Sequence, residues 1–214
     1  MSRPAEKTER ASRLRAALLA ASVTVALVAS ACGGTSRSAP EVFPSGGEAP
    51  NVGNATADVR AAARAAGCDY KTTRAPSRDH VNDRNAPVKY SSNPPTSGRH
   101  FEFAARDGLY QRAPKDTELV HSLEHGRVIL WAKPNLPRSQ RAALRAYFEK
   151  DDWMTLLVPR RTMPYAVAMT AWNADPAPLG TGRLLGCRKL DAATWRALTA
   201  FRDDNRGNGP EAVF

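Results

Sequence analysis

The sequence predicts an α+β domain with a mostly antiparallel sheet and flanking helices, set behind an N-terminal signal and a flexible tether. Three observations carry this. The C-terminal half runs strand, helix, strand, strand, strand, helix, with short apolar runs of strand length between segments of helical period. The stretch before it is polar and rich in turn formers. The chain opens on a basic segment, an uncharged apolar run and a small-residue end, the order of an export signal.

Residues 1–31 read as that signal. Arg3, Lys7, Arg10, Arg13 and Arg15 precede Ala16–Ala31, a run of 16 residues without charge. A membrane span needs about 20 residues. The run ends Ala29-Ser30-Ala31-Cys32. Ala-x-Ala suits an ordinary signal peptidase, and small residues directly before Cys suit a lipoprotein signal; both cut after Ala31. In the second case Cys32 carries a lipid and anchors the chain to the extracytoplasmic face of the cell membrane, the preferred reading. Secretion or a retained single-pass anchor are the alternatives. Residues 32–53, rich in Gly, Pro and Ser, have little to bury and read as the anchor cysteine and linker.

The domain is expected over residues 54–214. A first helix runs through NATADVRAAARAAGC, capped by Asn54 or Thr56 and stopped at Gly67. Val88–Tyr90 is the one short strand signal of the polar stretch, and NPPTSGRH, residues 93–100, is a proline-stiffened loop. Thr117–His125 is a short helix ended by Gly126. Val128–Trp131 is a buried strand and Pro137–Lys150 a helix whose Leu144, Tyr147 and Phe148 share a face. Trp153–Val158, Ala166–Ala171 and Leu184–Leu190 are strands, and Asp191 caps a last helix to Asp203. Trp131, Trp153, Trp172 and Trp195 fall in apolar runs and are expected in the core.

The chain carries three cysteines. With Cys32 acylated, Cys68 and Cys187 form an even pair, which outside the cytoplasm is usually a disulfide; two buried free thiols are the alternative. The formal net charge is +10, falling to +7 once residues 1–31 are removed. The basic residues are scattered without interleaved aromatics, so nucleic acid is not an expected partner. The membrane is the one expected partner, through the lipid or N-terminal anchor; no feature names a protein partner.

YSSNPPTSGRH at 90–100, GLY at 108–110 and LVHSLEHGRVILW at 119–131 together resemble the bacterial family called domain of unknown function 3105, as do MTAW at 169–172, RGNGPE at 206–211, and the cysteines within AGC and LGC. The resemblance spans about residues 55–211. It implies a location behind a signal or membrane anchor and no established activity. Arg99 departs from the family, which commonly has proline there.

All four histidines, His80, His100, His121 and His125, lie within residues 80–125. On a helical wheel Leu119, Val120 and Leu123 share one side, and His121, Glu124 and His125 the opposite side. Should the NPPTSGRH loop pack over that second side, His100 completes a three-histidine site and His80 adds a fourth ligand, a set suited to zinc or copper. Should nothing pack there, the trio is a wet helix face. His121-x-x-Glu124-His125 also matches a zinc-peptidase pattern with Glu124 as general base. That pattern needs a downstream acid such as Glu149 or Glu211 as third ligand, and a helix that runs beyond Gly126. The expected function is therefore binding of a metal ion or small ligand rather than catalysis. A zinc-dependent hydrolase and a structural or partner-binding module are the alternatives.

Overall fold

The computed structural model describes residues 41–53 and 58–211. The expected signal at 1–31, Cys32 and the expected caps Asn54 and Thr56 lie outside the described residues. Helix α1 (Val59–Ala66) starts instead at Asp58, whose Oδ1 accepts from the Arg60 and Ala61 amides at 2.8 and 3.0 Å. The remaining elements are β1 (Asp69–Arg74), β2 (His80–Val81), β3 (His100–Phe101), β4 (Gly108–Leu109), α2 (Asp116–Glu124), β5 (Val128–Ala132), α3 (Arg138–Lys150), β6 (Thr155–Pro159), β7 (Val167–Asn173), β8 (Thr181–Cys187) and α4 (Ala192–Asn205).

Six strands form one sheet in the order β1-β8-β7-β5-β6-β4. The pairings β1–β8, β8–β7 and β7–β5 are antiparallel; β5–β6 and β6–β4 are parallel. The α+β class and the mostly antiparallel sheet hold. Helix α3 provides the crossover that parallel β5 and β6 require.

The central strands are covered on both faces, which is why VILWA in β5 reads as a continuous apolar run rather than an alternation. Val128, Leu130, Met169 and Leu185 face helices α1, α3 and α4. Ile129, Trp131, Leu156 and Trp172 form the core of the other face, with Leu119, Val120 and Leu123 of α2. The apolar side of the α2 wheel thus docks on the sheet as expected. Trp131 Nε1 donates to Thr170 Oγ1 at 2.8 Å, which satisfies its buried N–H.

Several details differ from expectation. β1, with the sequence DYKTTR, was not foreseen; it is a largely exposed edge strand, so it carries no apolar alternation. Val88–Tyr90 forms no strand; the Tyr90 hydroxyl donates to the Arg99 carbonyl at 2.9 Å and braces the loop instead. β8 begins earlier than Leu184, at Thr181, where it already pairs with Arg74 and Asn173, and it ends at Cys187, which joins Cys68 in a disulfide. Trp131, Trp172 and Trp195 are buried, but Trp153 is 58% exposed. It lies in the turn before β6, where Met154 has φ 47°, and its ring stacks under the Arg206 guanidinium at 5.2 Å.

The expected linker also ends sooner than residue 53. Phe43 has no exposed surface and belongs to the α1/α3/α4 core. The Val42 amide donates to Gln111 Oε1 at 2.7 Å, and the Arg145 guanidinium donates to the Phe43 carbonyl at 3.3 Å. One aromatic in a Gly/Pro/Ser-rich stretch therefore docks residues 41–53 on the domain.

Candidate metal centre

The site forms where the NPPTSGRH loop closes over the polar side of α2. Pro94 to Gly98 are all buried. The Asn93–Pro94 bond is cis. Asn93 holds one end of the loop, accepting from Arg160 Nε at 2.6 Å and donating to the Thr162 carbonyl at 3.0 Å. Gly182 of β8 lets the loop approach, since a Cβ there would stand 2.3 Å from Thr96 Oγ1 and 2.7 Å from Thr96 Cβ. The loop runs into β3, which pairs in parallel with β2 in a register that sets His80 opposite His100.

This pairing delivers the histidines to α2. Ring centroids lie 4.6 Å apart for His80 and His100, 5.0 Å for His80 and His121, and 4.8 Å for His100 and His121. His80, His100, His121 and Glu124 each present a donor atom, and these four atoms lie within 4.8 Å of one another. His80 is exposed and the other three are buried. His125, at the C-cap of α2, stands beside this group with its Nε2 2.9 Å from His121 Nε2. The structure thus brings all four histidines and Glu124 together.

The ring protons follow from the hydrogen bonds. His100 Nδ1 lies 2.8 Å from the Gly98 carbonyl and His121 Nδ1 lies 2.6 Å from the Phe101 carbonyl. A carbonyl only accepts, so both Nδ1 atoms carry hydrogen, and in the neutral rings both Nε2 atoms carry a lone pair. This arrangement, one ring nitrogen donating to the backbone and the other left free, is the usual support of a metal-binding histidine. Burial lowers the His121 pKa to about 4, against the opposing pull of the Phe101 carbonyl, so the ring is neutral at pH 7. Its Nε2 then accepts from His125 Nε2–H. Burial also lowers the His125 pKa, opposed by Glu211 and aided by Arg127.

Glu124 is 1% exposed. Its Oε1 accepts from Arg78 Nε at 2.7 Å, and its Oε2 lies 2.8 Å from His100 Nε2. The second contact is short but out of line, so both His100 Nε2 and Glu124 Oε2 lack a hydrogen-bond partner among the described residues. Burial disfavours the Glu124 carboxylate, but the His100 and Arg78 contacts outweigh it and hold the pKa down to about 2. Arg78 was not foreseen; its only signal is a basic residue two positions before His80.

The C-terminal RGNGPE motif closes the far end of α2. The Glu211 amide donates to the Glu124 carbonyl at 3.0 Å and the Gly207 amide to the Gly126 carbonyl at 2.9 Å. The Glu211 carboxylate pairs with Arg78 at 3.7 Å. Glu149 pairs instead with Arg145 of its own helix. Neither acid takes the place of a third peptidase ligand, and α2 stops at Glu124 rather than running on. Ser122 Oγ donates to the Ala105 carbonyl at 2.7 Å, a structural role.

A family model described as a protein of unknown function (DUF3105) matches residues 80–212, which include every histidine and the RGNGPE motif. No curated protein and no solved structure matches the chain.

Proposed function

The chain belongs to the DUF3105 family of proteins of unknown function, and from that premise we propose that it binds a divalent transition metal, zinc or copper, through His80, His100, His121 and Glu124. One observation carries the proposal: His80, His100, His121 and Glu124 bring four donor atoms within 4.8 Å of one another, and among them His100 Nε2 and Glu124 Oε2 are buried 2.8 Å apart, each without a hydrogen-bond partner among the described residues. A cation held among the four donors would satisfy both of these buried atoms at once. Three imidazoles and one carboxylate suit zinc or copper(II), and the absence of sulfur from the set disfavours copper(I). A tetrahedral zinc with ligands at about 2.0–2.1 Å sets neighbouring donors roughly 3.4 Å apart. His80, exposed on a two-residue strand, is the ligand free to close that spacing. A metal on His121 Nε2 takes the lone pair that His125 otherwise uses, so His125 must turn away.

We further propose that the domain is exported and held at the outer face of the membrane by a lipid on Cys32. The Cys68–Cys187 disulfide supports an oxidising compartment. No helix among the described residues is long and apolar enough to cross a membrane.

Elemental analysis and competition against a chromophoric chelator test the metal. About one equivalent of zinc or copper is expected, lost in His100→Ala/His121→Ala. Equal binding by the native chain and that variant refutes the centre. Mass spectrometry of the mature N-terminus tests the anchor, and an unmodified Cys32 removes it.

A further inference from the structure

Along the sequence the basic residues are scattered, but the fold gathers a group of them at one end of the sheet. The pairings set Pro159, Ala132, Val167 and Cys187 in one row across β6, β5, β7 and β8. The chain leaves that row through Lys133 after β5, Arg160 and Arg161 after β6, and Arg188 and Lys189 after β8. β4 runs parallel to β6 and leads to Arg112 at the same end. Helix α3 follows β5, α4 follows β8, and the first residue of α2, Asp116, pairs with Arg160. All three helices therefore begin here, and the positive poles of their dipoles add to the charge.

Four acids share this end, and each is already paired: Asp116 with Arg160, Asp69 with Arg188, Asp191 with Lys189 and Glu41 with Arg145. Arg112, Lys115, Lys133, Arg138 and Arg161 form no ion pair among the described residues. Lys133 is half-buried and the other four are exposed. At the far end of the sheet the charges are mixed instead. There Asp152, Asp175, Asp203 and Asp204, all exposed, offset Arg74 and Lys150. The positive field is thus concentrated at one end of the domain.

The described chain also enters at that end. The Glu41 carbonyl accepts from Arg141, in the first turn of α3, at 3.1 Å. Nine positions separate Cys32 from Glu41, a reach of at most about 30 Å. A lipid on Cys32 therefore keeps the basic end within that distance of the bilayer.

We propose that this end of the domain docks on an anionic lipid surface. Clusters of about four to eight Lys and Arg beside a membrane bind anionic head groups, and the five unpaired cations here form such a cluster. The orientation rests on the lipid-anchor reading; the charged end is a property of the fold. Glu124 and His125 close α2 at its other end, so docking sets the histidine cluster back from the bilayer.

The test is cosedimentation of the full chain carrying Cys32→Ala, which takes no lipid, with vesicles of phosphatidylcholine with or without phosphatidylglycerol. Binding is expected to favour the phosphatidylglycerol vesicles and to weaken as salt rises. Each basic residue near an anionic surface contributes about fivefold. Arg138→Gln/Arg161→Gln is therefore expected to weaken binding by more than about tenfold. Arg74→Gln/Lys150→Gln, which removes the same charge from the far end, is expected to change it by less than about threefold. Residues 1–31 are common to all three chains, so their contribution cancels, and thermal melting confirms that each variant is folded. Equal loss in the two variants, no preference for phosphatidylglycerol, or binding to soluble polyphosphate without binding to the vesicles overturns the proposal. Its failure is distinct from that of the anchor: a lipidated Cys32 in the native chain with no head-group preference removes only the docking, and an unmodified Cys32 with the preference intact removes only the anchor.

Discussion

His100 and Glu124, 24 positions apart in the chain, meet with Nε2 and Oε2 at 2.8 Å, and both side chains are buried. One comes from the strand that ends the proline-rich loop and the other from the last turn of α2. What holds Glu124 in place beyond this contact is Arg78, bonded at 2.7 Å. Outer-shell partners of this kind typically contribute ten- to hundredfold to metal affinity. Arg78→Met is expected to weaken zinc or copper binding by about that factor without abolishing it, read by chelator competition. His125→Ala, outside the four-donor group, is expected to change affinity by less than about tenfold.

The disulfide gives a second prediction. Cys68 follows α1 and Cys187 ends β8, and their bond closes a separation of 119 residues. In the chain-entropy treatment a loop of that length stabilises the fold by about 4–5 kcal/mol. Reduction with dithiothreitol is expected to lower the urea midpoint accordingly. An unmoved midpoint would show that the edge strand β1 holds without its tie to β8.

Phe43 tests where the domain begins. Phe→Ala in a packed core costs about 3–5 kcal/mol, and Phe43 is wholly buried. Phe43→Ala, and a chain cut to begin at residue 54, are both expected to lose stability of that order in chemical denaturation. The linker composition around Phe43 gave no hint of this, because one aromatic among Gly, Pro and Ser does not alter local periodicity. The helices and central strands were legible for the opposite reason: α3, α4 and β5 each carry a sustained apolar pattern with a cap or turn at the end. Trp153 misled because an apolar neighbour run is blind to the turn at Met154 that points the ring outward. At the site, the histidines and Glu124 were readable from residue type and the α2 wheel. Arg78 and the carbonyls of Gly98 and Phe101 were not, because backbone partners and long-range ion pairs leave no mark in local sequence.

Asp191 sets a pH dependence. As the cap of α4 it accepts from the Thr194 amide at 2.9 Å, and Lys189 lies 2.6 Å from its other oxygen. Lys189 first, then the Thr194 amide, hold its pKa down to about 2, below the roughly 3.9 of an unfolded chain. The folded state therefore binds this proton less readily than the unfolded one. Its stabilisation is complete above about pH 4 and is lost as pH falls through about 2. Asp191→Ala is expected to cost about 1 kcal/mol at pH 7 and to flatten the acid limb of a stability–pH profile. A limb identical to that of the native chain would assign the cap no role.

The RGNGPE motif is where fold and site are joined, and Gly209 is its tightest point. A Cβ on Gly209 would stand 2.2 Å from the Gly126 amide nitrogen and 2.3 Å from the Glu124 carbonyl oxygen. Both are backbone atoms, so neither can swing aside. Gly207 differs: its φ is 81°, but nothing lies within 4 Å of a Cβ there. Gly207→Ala therefore adds conformational strain of about 1–2 kcal/mol and leaves α2 in place. Gly209→Ala must push the loop from the helix end that carries Glu124. Overpacking of this kind costs about 1–3 kcal/mol, and here the displaced backbone bears a proposed ligand. Both variants are expected to melt earlier than the native chain, but only Gly209→Ala is expected to weaken metal binding as well, by about tenfold or more. Equal metal affinities in the two folded variants would mean that the loop supports the fold without setting the position of the Glu124 carboxylate.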